Sequence, residues 1–134
     1  MGPVIPDLAG EVIIIAKIDY GLHLWTAGSW EIVLAGPVLV SGTGTAPTEI
    51  EVDVAESPLP PQLADVVGAT VAQLLVSEGG DLGVQLEDRQ LSVRADDRYE
   101  AWQVAGPDGE LLVCTPGGEL TYFPPVRRHG PPRA

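Results

Sequence analysis

The stretch that decides the fold is residues 11–25, which read EVIIIAKIDYGLHLW. Its even-numbered positions are all apolar or aromatic, whereas the odd-numbered positions include two acids, a lysine and a histidine. A period of two, with β-branched residues crowded at one end, indicates a β-strand rather than a helix. The run is long for a single strand, so residues 19–21 are predicted to hold a bend, a bulge or a tight hairpin.

Short apolar runs separated by turn residues make up the rest of the chain. The 134 residues include 16 glycines and 13 prolines, and turn signals at a spacing of roughly 8–12 residues are typical of an all-β meander. One short helix is predicted near residues 61–67, where Leu63, Val66 and Val67 stand at helical spacing before Gly68. We therefore predict a mainly β fold, an antiparallel meander that forms a small barrel or sandwich.

The two halves of the chain resemble each other in sequence. At one offset of 58 residues, four positions of the first half align with four of the second: Gly10, Ile13, Ile18 and Gly21 with Gly68, Val71, Val76 and Gly79. With small gaps, a further four positions align: Leu22, Leu24, Ile32 and Leu34 with Leu82, Val84, Leu91 and Val93. Two related three-strand units would explain this pattern, although short β patterns also align by chance.

Charge divides the chain into two regions. There are 7 basic and 19 acidic residues, a net charge of −12. Residues 1–123, predicted to form a single β-rich domain, hold 4 of the basic and all 19 of the acidic residues, a net −15. Residues 124–134, PPVRRHGPPRA, carry +3 and are predicted to be a flexible tail. An acidic body repels phosphate backbones and anionic lipid, so nucleic-acid and membrane partners are excluded.

The usual chemical signatures are missing from the sequence. The two histidines lie 106 residues apart and Cys114 is the sole cysteine, so no zinc spacing occurs and no intramolecular disulfide can form. No nucleophile elbow, calcium loop or phosphate loop is found. We therefore predict no catalytic residues, no metal and no cofactor. No secretory leader is recognisable, and a cytoplasmic protein is expected.

Aromatic residues mark two candidate binding regions. Tyr99, Glu100 and Trp102 lie close together on a predicted strand and could contact a partner, although Trp102 is also a candidate for the core. Trp25 and Trp30 flank the first hairpin turn and could form a second exposed patch.

Two segments of the sequence, residues 18–24 and 99–120, resemble a known family. The runs YEAWQV over 99–104, GPDG over 106–109 and VCTPGGEL over 113–120, with IDYGLHL over 18–24, look like the DUF6188 family of small actinobacterial proteins of unknown function. The resemblance covers roughly residues 8–123, and the ending LTYF at 120–123 departs from it. It implies an actinobacterial source and a stand-alone cytoplasmic domain, and it implies no catalytic role.

Two functions remain open at this point. The first is a non-enzymatic protein-interaction module that binds an unknown protein partner, either a basic one, as in an immunity-like role, or a second copy in a homodimer. The second is a small-molecule-binding β-barrel, with or without weak enzymatic activity, whose mouth Tyr99, Glu100 and Trp102 would line.

Overall fold

A computed structural model describes residues 5–42 and 46–126 of the chain. Within those ranges it contains eleven strands and one turn of 3-10 helix at Pro61–Leu63. The strands are β1 Ile13–Ile18, β2 Leu22–Thr26, β3 Glu31–Leu34, β4 Val38–Gly42, β5 Thr48–Ile50, β6 Val71–Val76, β7 Leu82–Leu86, β8 Arg89–Val93, β9 Trp102–Ala105, β10 Leu111–Cys114 and β11 Leu120–Phe123.

The strands form two antiparallel sheets with the core between them. The six-stranded sheet has the order β1-β2-β3-β9-β10-β11 and the five-stranded sheet the order β5-β4-β8-β7-β6. The predicted mainly β fold is confirmed in its sandwich form. The barrel form is wrong, because the described strands do not close into a barrel. A binding cavity inside a barrel therefore loses its structural basis.

The opening stretch forms the first hairpin, as its pattern predicted. Ile18 pairs with Leu22, and the backbone between them reverses with positive φ at Tyr20 (51°) and Gly21 (141°). Gly21 tolerates such a φ without steric cost, so the reversal can be tight. The even-numbered side chains Ile18, Leu22 and Leu24 point into the core.

The predicted helix is present as a single 3-10 turn, shorter than expected. Helical spacing continues beyond Leu63, but the backbone is drawn into pairing with β1 instead. Gly68 donates to the Ile13 carbonyl over 2.7 Å, and Ile13 donates to Ala69 over 2.9 Å. Pairing with β1 from Gly68 onward thus limits the helical backbone to isolated turns, such as the one closed by the hydrogen bond from Val66 to the Leu63 carbonyl over 3.1 Å.

The alignment of the two halves corresponds to a repeat in three dimensions. The offset of 58 relates β1 to β6, and both strands carry a register shift at matching positions, after Ile13 and after Val71. Hydrogen bonds repeat as well: Gly10 donates to Val71 over 2.9 Å, and Gly68 donates to Ile13 over 2.7 Å. Two three-strand units related by an approximate twofold axis account for this reciprocity.

The units exchange strands. After β3 the chain crosses to the five-stranded sheet, where β4 pairs with β8 of the second unit. After β8 it crosses back, and β9 pairs with β3 of the first unit. Each sheet is therefore completed by the other half of the chain.

The core consists of aliphatic side chains from both inner faces together with Trp102, which is 1% exposed. The Trp102 indole Nε1–H donates to the Gly80 carbonyl over 2.7 Å, which satisfies its polar atom. In the described ranges no helix is long and apolar enough to cross a membrane. Residues 127–134, most of the predicted tail, lie outside the described residues.

Candidate functional site

The outer side of the six-stranded sheet carries a largely apolar surface, which we call the outer face. Strand pairing aligns its side chains in two rows across the sheet. The first row is Ile15, Trp25, Glu31, Ala105, Leu111 and Phe123, and the second is Lys17, His23, Val33, Gln103, Val113 and Thr121. Ile15 is 51% exposed and Phe123 is 52% exposed, at opposite edges of the sheet.

Few charges interrupt the outer face. Across the six strands, Lys17 and Glu31 are the only Lys, Arg, Asp or Glu residues. The Lys17 Nζ lies 3.4 Å from a carboxylate oxygen of Glu56. Seven of the twelve side chains in the two rows are apolar or aromatic; Val113 among them is buried, Ile15 and Phe123 are exposed and the other four are half-buried. This is an unusual composition for the outer side of a sheet.

The five-stranded sheet provides an internal comparison, because its outer side uses equivalent positions of the same repeat. Its corresponding rows read Gln73, Gln85, Gln90 and Ser41, and Leu75, Gly83, Ser92, Leu39 and Glu49. Gln73 donates to Gln85 across the strands over 2.9 Å. The repeat is thus compatible with a mostly polar outer surface, so the fold does not by itself require an apolar one.

Trp25 is held in a fixed position on the outer face. Its ring stacks on the imidazole of His23 with centroids 5.7 Å apart and planes at 14°. The His23 Nε2 lies 3.0 Å from the Asp19 carbonyl oxygen, and Nδ1 lies 3.5 Å from a carboxylate oxygen of Glu31. A tryptophan already ordered by its neighbours loses little rotamer entropy on binding, which suits an anchor residue.

Acidic side chains are frequent in the loops at the ends of the strands that form the outer face. They lie in the loops that join or precede the strands of the six-stranded sheet: Glu11, Asp19, Glu100, Asp108, Glu110 and Glu119. Glu11 reaches across to the β2–β3 turn, where it accepts a hydrogen bond from the Gly28 N–H over 2.9 Å. The outer face therefore combines two rows rich in apolar side chains with mostly acidic loops at the ends of its strands, which we call the acidic rim, although Arg98 lies in the same loop as Glu100.

The structure separates the residues that the sequence suggested for binding. Trp25 lies on the outer face, whereas Trp30 lies on the opposite side of the same sheet and packs against the core. Trp102 is buried and cannot contact a partner, so its place among the binding residues is wrong. Tyr99 and Glu100 are exposed in the loop before β9.

Tyr99 occupies its own polar environment, apart from Trp25. A side chain added at Gly36 would lie about 3.1 Å from the Tyr99 hydroxyl, so the ring packs over that turn. Burial, followed by the charges of Asp96 and Asp53, raises the pKa of Tyr99 above its usual range. A phenol with a raised pKa stays protonated at neutral pH and can donate but not act as a base.

Sequence reasoning missed most of the outer face. Ile15, Val33, Leu111 and Phe123 belong to it, and none of them was a candidate. The available signal was that the odd-numbered positions of residues 11–25, the polar phase of the pattern, also contain Ile15 and Trp25. An apolar residue at a strand position whose side chain is expected to face solvent indicates a sheet that is apolar on both sides.

Arg89 forms the most strongly paired charge cluster of the described residues. Its guanidinium donates to Asp65 over 2.7 Å, to Asp88 over 2.8 Å and to the Gln62 carbonyl over 3.1 Å. The hydrogen bonds from Arg89 lower the pKa of Asp65 and of Asp88. An open groove of about 570 Å³ runs beside the cluster, but the guanidinium is already occupied, which favours a structural role joining β8 to the 3-10 turn.

Groups suited to catalysis or metal binding are scarce in the part of the chain that the structure describes. No set of three or more His, Cys, Asp or Glu side chains there is arranged to hold a metal ion. Cys114 is buried, and burial raises the pKa of its thiol, with a further contribution from Asp81.

Comparison with known proteins identifies the family of the chain. A family model described as "Family of unknown function (DUF6188)" matches residues 4–124. No curated protein matches the chain, and no solved structure does.

Proposed function

Because the chain belongs to the DUF6188 family of unknown function, its role must be inferred from its own surface, and we propose that it is a protein-interaction module. The observation that carries the proposal is the apolar outer face of the six-stranded sheet, beside a mostly polar surface at equivalent positions of the five-stranded sheet. Exposed apolar surface that the fold does not need is typical of a docking site.

The partner is expected to be a basic protein with an apolar contact surface. Six strands of about four residues cover roughly 24 by 13 Å, well below the roughly 800 Å² that each partner buries in a standard interface. The rim must therefore contribute to binding, and that rim is acidic. Lysine and arginine side chains of a partner would complement it and accelerate association at low salt.

A homodimer through the same surface is the less favoured form of the proposal. Face-to-face contact between two copies would bring two acidic rims together, in a chain whose net charge is −12. Like charges placed opposite each other across an interface cost free energy and lower the affinity.

A matched pair of substitutions tests the proposal. Ile15→Lys places a charge at the half-exposed edge of the outer face, whereas Gln73→Lys makes the same charge at the equivalent position of the five-stranded sheet. Each variant and the parent chain would be immobilised, exposed to native lysate and eluted with rising salt. A basic protein retained by the parent and by Gln73→Lys, but lost by Ile15→Lys, supports the proposal.

Two outcomes contradict the proposal. Equal retention by both variants would show that the outer face takes no part in the interaction. The absence of any salt-sensitive partner would show that there is no such interaction. Circular dichroism of the variants verifies that each is folded, since both positions are solvent-exposed and neither lies in the core.

A further inference from the structure

The chain covers the free edge of β1 with a segment of its own. Residues 52–57 run alongside it, and Ser57 donates to the Ile18 carbonyl over 3.2 Å. Tyr20 and Gly21, just beyond β1, donate to Val54 over 2.7 Å and to Val52 over 2.8 Å. The C-terminal end of this edge is therefore hydrogen-bonded and closed to other strands.

The equivalent edge of β6 is not covered by any described segment. Val76 corresponds to Ile18 in the repeat. Ser77 donates to Asp81 over 3.0 Å, and because hydrogen-bonded pairs alternate along an antiparallel ladder, the N–H and C=O groups of Leu74 and Val76 point away from β7. In residues 5–42 and 46–126 no backbone group pairs with Leu74 or Val76 on that side.

A groove lies beside this edge, which we call the edge groove. It has a volume of about 460 Å³, and its apolar lining includes Ile5, Val76 and Leu120. Glu78 and Glu119 line it as well, and no basic residue does. Its lining residues 76–78 correspond in the repeat to residues 18–20, where residues 52–57 bind beside β1, so its position suits an extended segment.

We propose that the edge groove binds an extended, basic segment of another protein, which adds to the five-stranded sheet as a strand beside β6. The backbone of the segment would pair with Val76, as Ser57 pairs with Ile18, and would continue along the free edge to Leu74. Its apolar side chains would contact Ile5 and Leu120, and its lysine or arginine side chains would face Glu78 and Glu119. This is recognition by strand addition.

The edge groove shares Glu119 with the acidic rim but contains none of the side chains in the two rows of the outer face, so this proposal does not depend on the proposed function. A second copy of the chain fits the groove less well, because it would bring further acidic charge to Glu78 and Glu119. The first unit supplies the template for the backbone of the occupant: residues 52–57 read VDVAES, a segment with valine at 52 and 54 and no internal proline.

A synthetic peptide provides the direct test. The probe is an acetylated and amidated octapeptide in which valine alternates with lysine and arginine, added to the full chain. Amide hydrogen exchange, followed residue by residue by NMR, should slow at Leu74 and Val76. A peptide with glutamate in place of the basic residues should not bind, and N-methylation of alternate peptide residues should abolish binding by removing backbone donors.

Charge reversal on the protein supplies the matched control. Glu78→Lys, in the β6–β7 turn beside the groove, should weaken binding of the basic peptide by about fivefold or more. Glu87→Lys makes the same change in the β7–β8 turn at the far end of β7, where it should have no effect. Both side chains are exposed, so neither change should affect folding.

Three results would overturn the proposal. In the first, the basic peptide leaves the exchange of Leu74 and Val76 unchanged. In the second, these amides become protected with rising protein concentration alone, which would make a second copy the occupant. In the third, they are protected without peptide and lose that protection when residues 1–4 are deleted, which would make the start of the chain the occupant.

Discussion

Cys114 ends β10 with its side chain turned into the core. The residue is fully buried, and its Sγ lies 3.7 Å from the Thr115 carbonyl oxygen. Burial, and secondarily the charge of Asp81, raise the pKa of the thiol. The thiol is therefore unreactive for two reasons: its raised pKa keeps it protonated, and its burial keeps reagents from reaching it.

We predict that Cys114 resists thiol reagents in the native protein at neutral pH. Modification by a chromogenic disulfide should proceed only as fast as the protein unfolds, and it should become rapid in denaturant. The measurement is the absorbance of the released reagent against denaturant concentration. Fast modification in buffer without unfolding would show that β10 opens locally.

Tyr99 predicts a dependence of stability on alkaline pH. Its pKa is raised in the folded protein, first by burial and then by Asp96 and neighbouring acids. The unfolded chain, with a tyrosine pKa of about 10, therefore loses this proton first. The contribution of Tyr99 to stability is complete below pH 10 and is lost as the pH rises through the folded pKa.

The variant Tyr99→Phe should accordingly lose less stability than the parent between pH 9 and pH 11. The measurement is the denaturation midpoint at each pH, with Tyr20→Phe, at an exposed position in the first hairpin turn, as the control. An identical loss in the parent and in Tyr99→Phe would exclude this residue as a source of the pH dependence.

Among the elements, the turns that lead into β1 and β6 show the repeat most clearly. Gly10 and Gly68 have φ values of 89° and 96°, and no atom lies within 4 Å of a side chain built at either position. Space is therefore available at both sites, and the positive φ is the remaining obstacle to substitution.

Gly10→Ala and Gly68→Ala should each lower the free energy of unfolding by about 1 kcal/mol, and by similar amounts, because their surroundings are repeated. Chemical denaturation of the single variants measures both values. Gly79→Ala is the control: its φ is not positive and its nearest neighbour would be Ser77 at 3.9 Å, so it should be nearly neutral. Markedly unequal effects at Gly10 and Gly68 would contradict the equivalence of these two turns.

Local pattern explains why hairpins were predictable and the connections between them were not. The β1–β2 hairpin follows from a period of two interrupted at Tyr20 and Gly21. The exchange of β4 and β9 between units depends on pairing with strands that lie far away in the sequence, so no local period encodes it. The short helix was overestimated for the same reason, since pairing with Ile13 overrides helical spacing.

The candidate site was predictable only in part. Trp25 was identified from its aromatic character, which is a property of the residue alone. Trp30 and Trp102 share that character but face the core, and their orientation depends on register with partner strands. The outer face and its contrast with the five-stranded sheet become apparent only after both registers are known.

For the whole molecule, charge sets the expected oligomeric state. With a net charge of −12 and an acidic rim around its apolar surface, the chain should be a monomer at low ionic strength. High salt screens that repulsion, so any self-association should increase with salt and should be weaker in Ile15→Lys.

Sedimentation velocity at low and high salt measures this state, with Gln73→Lys as the charge-matched control. A stable dimer at low salt that Ile15→Lys dissociates, and Gln73→Lys does not, would establish the outer face as a homodimer interface. It would also contradict the expectation of a basic partner.

The exchange of strands between units also bears on how the protein is made. During synthesis β3 emerges long before its neighbour β9, which starts at Trp102, and β4 must wait for β8. In the first half of a growing chain β3 and β4 thus each lack one of their two neighbours, and neither sheet can be completed. Folding is therefore expected to be delayed until β9 has left the ribosome, and chains truncated before Trp102 should be degraded or aggregate.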